Sequence, residues 1–172
     1  MRLISKPTSG IPDFYQHYMD KVPDDGLLLQ HLDEIMQETN SIISSLSEDK
    51  LLFRYAAGKW TIKDLMLHLA DCERVIIYRA MRFSRGDKTD LPGFDEGLFV
   101  DAAHANDKPI TAIMEQLNAY RTASILFIKS LSDAELDNGG TANGYPITAR
   151  LLVNHLYGHH QHHLDIIKER YL

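Results

Sequence analysis

Residues 146–172, PITARLLVNHLYGHHQHHLDIIKERYL, decide how the chain is read. Five of its nine histidines fall in this stretch, between His155 and His163. At 100° per residue, with His159 at zero, Leu152 lies at about 20°, Ile166 at about −20°, His163 at about 40° and Leu156 at about 60°. These residues form one helical stripe that should face a core, and His159 and His163 sit in its middle as an i, i+4 pair. His155 falls at the edge of the stripe, near about −40°. His160 and His162 fall on its opposite flanks, where contact with water is expected.

Two inward imidazoles one turn apart must satisfy four ring nitrogens in an apolar setting. A divalent ion resolves that difficulty, because i, i+4 histidines on one face can bind the same metal. Hydrogen-bonded core histidines are the alternative. A metal reading therefore needs a third ligand from elsewhere.

The rest of the chain supplies one. Leu28, Leu32, Ile35, Thr39, Ile42 and Leu46 recur at alternating steps of four and three, which predicts a helix over 24–46. Thr61 and Asp64 form a capping box that opens a second helix over 61–84, closed by Gly86. Its stripe carries Leu65, His68, Cys72, Val75 and Ile76, with His68 pointing inward. A third helix is expected over 109–131, with Pro109 at its start and Ile113, Leu117, Tyr120, Ser124, Phe127, Ile128 and Leu131 as its buried face. The fourth, 148–172, begins at the N-cap Thr148. Short helical turns are expected over 95–104 and after Ser132, and the acidic loop 86–98 is long enough to be functional. No useful period-2 alternation is evident, so 137–145 reads as a Gly/Asn loop. Residues 1–23, broken by Pro7, Gly10, Pro12 and Pro23, read as an irregular arm whose Phe14, Tyr15 and Tyr18 pack onto the rest.

Four amphipathic helices without strands predict an all-α four-helix bundle over 24–172, with His68 facing His159 and His163 at one depth. Three neutral imidazoles are the usual protein share of a catalytic metal site that leaves positions open. Asp71, one turn from His68, is a candidate catalytic residue that could orient an imidazole or accept a proton; a solvated helix position is the alternative. Arg79 is expected to pair with Glu73, Asp95 or Glu96 and tie down the long loop; holding a carboxylate of a low-molecular-weight thiol is the alternative. Cys72 is expected to be a small buried hydrophobe, and Trp60 a core aromatic at the end of the bundle.

Composition narrows the function classes. With 172 residues, 44% hydrophobic and 24% charged, the chain fits one ordinary globular domain. A net charge of −6, with no basic block, argues against a nucleic-acid partner. No apolar run approaches a membrane span or a signal peptide. A single cysteine fits a reducing compartment, and the expected location is cytoplasmic.

GKWTIKDLMLHLADCERVIIYRAMRFSRGD, then LPGFDE, then GHHQHHLDIIKERYL, in that order, resemble the DinB-like superfamily, nearest its DinB/YfiT-type metal-dependent branch. The resemblance covers roughly 25–172 and implies an up-down-down-up bundle with a long crossover, often paired into homodimers. It implies a metal held by His68, His159 and His163, the residues that periodicity selects. It also implies zinc or nickel as the ion, a small-molecule substrate and, in some relatives, thiol S-transfer with a low-molecular-weight thiol cosubstrate. A metal-dependent transferase or hydrolase acting on a small electrophile is the leading expectation. A non-catalytic metal-binding bundle, acting as sensor or interaction module, is the second, and a metal-free histidine cluster the third.

Overall fold

Each long periodic segment forms the helix its pattern predicts. In the computed structural model, which describes residues 2–172, the chain forms α1 (Asp13–Met19), α2 (Leu28–Ser44), α3 (Glu48–Leu51), α4 (Ile62–Ser84), α5 (Glu96–Ala103), α6 (Ile110–Ser130), α7 (Asp133–Asp137), β1 (Gly139–Ala142), β2 (Tyr145–Thr148) and α8 (Ala149–Arg170). The capping boxes at Thr61/Asp64 and Ser132/Glu135 both form, so the starts of α4 and α7 satisfy their first amides locally. Thr148 accepts from Leu151 N at 3.1 Å and caps α8.

The long helices make a four-helix bundle in which α6 and α8 both flank α4, and α2 closes the ring opposite it. Directions follow from the side-chain pairs. Glu73 meets Arg121 and Asp64 meets Asn106, so α4 and α6 run parallel. His31 meets Tyr157 and Glu38 meets Lys168, so α2 and α8 also run parallel. Trp60 at the start of α4 meets Tyr171 at the end of α8, so that pair is antiparallel. The order is up-down-down-up. Two parallel neighbours, α4 and α6, require a connection that returns along the bundle, and residues 85–109 with α5 provide it. No described helix is long and apolar enough to cross a membrane.

Three segments differ from expectation. Residues 137–145 are not simply a loop: β1 and β2 pair antiparallel, Ala142 opposite Tyr145, around Asn143 and Gly144. Both turn residues have positive φ, 52° and 78°, as a tight two-residue hairpin turn demands. The hairpin edge also holds the long loop, because Leu91 N donates to Thr141 O and Asn143 N to Leu91 O. The N-terminal segment expected to be irregular contains α1. On α6, Tyr120 is exposed and covered by the Arg74 guanidinium at 4.1 Å, while Arg121 takes the buried position.

Helix α1 lies across α8 where Gly158 interrupts the histidines. A Cβ at Gly158 would stand 2.3 Å from the Tyr18 carbonyl oxygen, so only glycine admits this approach. Lys21 Nζ fixes the end of α1 to Asp165 at 2.7 Å. Gly158→Ala should therefore cost about 1–3 kcal/mol through overpacking. A lowered urea midpoint and faster proteolysis within residues 13–22 are the expected results. An unchanged midpoint and cleavage pattern would show that α1 does not dock there.

Candidate metal centre

The site is assembled by α4 and α8 running antiparallel. His68 and Cys72 are one turn apart on α4, and His159 and His163 one turn apart on α8. His159 Nε2 lies 3.2 Å from His68 Nε2 and 3.1 Å from His163 Nε2. All three side chains are buried. The structure thus brings together the three histidines selected from sequence.

Protein hydrogen bonding alone accounts poorly for this convergence. A neutral imidazole nitrogen offers one hydrogen or one in-plane lone pair, yet His159 Nε2 faces two other Nε2 atoms. A single ion with metal–nitrogen distances of about 2.0–2.1 Å in tetrahedral geometry would separate its nitrogens by roughly 3.3 Å. The two spacings from His159 are close to that, so this donor set fits a divalent ion.

Electrostatics prepare the nitrogens as ligands. Burial pushes His68 down to about 4. It holds His159 and His163 well below the usual histidine range, with their neighbouring imidazoles adding to the effect. Neutral imidazole is the form that binds metal. His155, at the edge of the stripe, is buried and pushed down to about 3 by burial, then by His17 and Arg79. The Nδ1 atoms of His155 and His163 have no hydrogen-bond partner among the described residues.

Cys72 is buried as expected, and its Sγ, His68 and His159 form a cluster whose ligand atoms lie within 4.8 Å of one another. Sγ is nearly equidistant from His68 Nδ1 and Nε2, at 3.6 and 3.7 Å. It therefore packs against the imidazole ring instead of aligning with one lone pair. Burial, then the charges of Glu96 and Asp71, pushes the thiol pKa upward.

Asp71 does not take the role expected of it. Its carboxylate pairs with Arg74, which also donates to Gln116 on α6, so it addresses the α4–α6 seam and contacts no histidine of the cluster. His160, expected on a wet flank, is buried, because its flank faces α2 and α6. Arg121 Nη2 donates to His160 Nδ1 at 3.1 Å, which leaves Nε2–H to donate to Thr39 Oγ1 at 2.8 Å. Among the described residues Arg79 makes no ion pair; its Nη2 donates to Pro92 O at 2.7 Å and holds the loop by a carbonyl.

Two hollows flank the histidines. On the His159 and Cys72 side is a narrow cavity of about 50 Å³, walled by Tyr15, Tyr18, Arg79, Phe94 and His155 among others. On the His163 side is a wider hollow of about 280 Å³ against Trp60, Lys59 and Tyr171. The Trp60 ring packs 4.8 Å from that of His68, so this aromatic is a wall of the site. Tyr18, which the sequence marked only for packing, places its ring 5.6 Å from His159, and burial pushes its hydroxyl up to about 12. Tyr145 reaches the aromatic wall through Phe14 and Tyr15, whereas Tyr157 stands apart beside His31 and Gln161.

Comparison with known proteins agrees with this architecture. Residues 31–167 match the model of the DinB superfamily. The chain belongs to the DinB superfamily. Among its relatives is a protein of Oceanobacillus iheyensis named "Putative metal-dependent hydrolase", 24% identical over 143 residues that cover 81% of each chain. YfiT from Bacillus subtilis, described as "a probable metal-dependent hydrolase with an unusual four-helix bundle topology", superposes with a TM-score of 0.77. It is 19% identical, and the match covers 95% of this chain and 90% of YfiT. That likeness establishes the four-helix-bundle fold.

The buried neutral histidines give this DinB protein a signed pH dependence. Their folded pKa values lie below the unfolded value of about 6.5, so below that pH the unfolded chain binds more protons and stability falls. For the metal-free protein, the urea midpoint should drop steadily from about pH 7 to about pH 4.5, before carboxylates contribute. A flat profile in that window would contradict burial of the neutral cluster.

Proposed function

We propose that the protein is a metal-dependent hydrolase acting on a small electrophilic substrate, with His68, His159 and His163 holding one divalent ion, zinc or nickel. The observation that carries this reading is the approach of the buried Nε2 atoms of His68 and His163 to that of His159, at 3.2 and 3.1 Å, beside a cavity. A divalent ion held by neutral imidazoles keeps its full charge and makes water or a thiol a stronger nucleophile at neutral pH. The names of the relatives favour water; a low-molecular-weight thiol as cosubstrate would make the reaction an S-transfer at the same place. Cytoplasmic residence, expected from the single cysteine, and pairing into homodimers, implied by the family resemblance, belong to this reading.

The chain's own residues do the remaining work. Trp60 excludes water from one face of His68. Tyr18 keeps its proton and presents an O–H donor beside the cavity that His159 lines. Helix α1 roofs that cavity through Phe14, Tyr15 and Tyr18, so substrate enters past the loop 86–98 and the hairpin.

Elemental analysis of tag-free protein should find about one zinc or nickel per chain, and His159→Ala should lower metal affinity by more than about tenfold while keeping its helical spectrum. Failure of the wild-type protein to take up either metal would sink the catalytic reading.

The nearness of Cys72 favours a second reading, in which the thiolate closes the shell and the bundle is a sensor or interaction module. Cobalt(II) separates the two, since only sulfur ligation gives a strong near-ultraviolet charge-transfer band. The expected spectrum lacks that band and is unchanged in Cys72→Ser. A band that the substitution removes would establish a closed, structural site.

A further inference from the structure

Three cationic side chains are buried among the described residues: Lys63, Arg79 and Arg121. Two have carboxylate partners, Glu48 at 2.5 Å from Lys63 and Glu73 at 2.9 Å from Arg121. Arg79 has none within 4.0 Å. The acids that could have served it are otherwise placed: Glu73 belongs to Arg121, Asp95 caps α5 through Leu98 N, and Glu96 is exposed at the cavity rim. Its one hydrogen bond goes to the Pro92 carbonyl, and its guanidinium lies 5.9 Å from the Phe94 ring.

A buried cation without a carboxylate in contact is costly; burial is the main cause lowering the Arg79 pKa, and the charge of Glu96 at the cavity rim opposes it. Folding alone does not require this charge, since the loop is already fastened by the backbone bonds of Leu91 to the hairpin. The side chain lines the same cavity as His159 and Cys72, and its remaining N–H donors have no acceptor among the described residues. A planar guanidinium with free donors matches a carboxylate in two-point geometry. Phe14, Tyr15 and Phe94 supply aromatic walls for an apolar or flat body.

We infer that Arg79 is the substrate-anchoring residue of this cavity and that the substrate is a small carboxylate-bearing molecule, its carboxylate on Arg79 and its reacting bond toward the histidine cluster. The reaction rests on the hydrolase reading above; the binding of the carboxylate does not.

Calorimetry with benzoate and propionate as probes, against benzamide and propionamide, tests this on zinc-loaded and chelator-treated full-length protein. Both carboxylates should bind in both forms with Kd below about 10 mM, and the amides at least about tenfold more weakly. Arg79→Gln should weaken benzoate by about 10–100-fold while zinc uptake and the far-ultraviolet spectrum stay unchanged. Glu96→Gln is exposed and should fold even if the arginine variant does not. It should tighten benzoate severalfold by removing a like charge from the rim. Absence of saturable carboxylate binding would overturn the assignment, as would binding indifferent to both substitutions or a preference for inorganic phosphate. Arg79-dependent benzoate binding in a protein that takes up no zinc would uphold the pocket and defeat the metal reading alone.

Discussion

The bundle depends on one buried ion pair. Arg121 of α6 donates through Nε and Nη2 to Glu73 of α4, through Nη1 to the Leu32 carbonyl of α2 at 2.9 Å, and through Nη2 to His160 of α8. Thr39 of α2 extends the chain, accepting from His160 and donating to Ile35 O. One guanidinium thereby touches all four long helices. Such a network contributes less stability than its contacts suggest, because both charges had to leave water; apolar residues of equal volume could do as well, while loss of one partner costs about 3–5 kcal/mol. Its specific contribution is register. His160 is adjacent to His159 on α8, about 100° around the helix, so anchoring His160 toward α2 and α6 turns His159 and His163 toward His68 on α4.

That rotation places several polar groups where a stable core would not want them. The imidazoles are held neutral against each other, and the Nδ1 atoms of His155 and His163 are buried without partners. Metal-ligating histidines commonly donate the second nitrogen to an acceptor, and His163 lacks one here. Unsatisfied nitrogens within the histidine cluster mark the region where folding and function make conflicting demands. Gly158 belongs to the same set. It forgoes helix propensity so that the backbone of α1 can reach the histidine face.

What could be read from the chain was what is local. The stripes of α2, α4 and α8, the two capping boxes and the inward direction of His68, His159 and His163 depend on spacing along one helix, and spacing is visible in a sequence. The buried Arg121 was not legible, because its partner Glu73 lies 48 positions away on another helix. Tyr120, next to it, looked like the better core residue for the same reason. His160 was misread because a helical wheel with one inward face cannot represent a helix packed against α2, α4 and α1 at once. The hairpin hid behind its glycines. Gly139 and Gly140 carry no side chains to alternate, and Gly140 must be bare because a Cβ there would stand 2.5 Å from the Phe83 ring. Asn143-Gly144 was the available signal, since that pair favours a two-residue hairpin turn.

The division of labour within the fold follows from these differences. Metal donors sit on α4 and α8, whose positions are fixed by capping, core packing and the Arg121 network. Half of the cavity wall comes from outside the four long helices: Phe14, Tyr15 and Tyr18 from α1, Phe94 and Glu96 from the crossover, and Asn143 from the hairpin turn. These are the segments whose structure the sequence declared least. Loops and short elements tolerate change with little cost to a bundle core, so the scaffold can keep its histidines while the lining is rebuilt. Arg79 is the exception that joins the two parts. It projects from the rigid helix α4, yet its hydrogen bond and its aromatic neighbour belong to the crossover loop. A change in that loop would thus be felt at the one cavity-lining charge positioned by the scaffold.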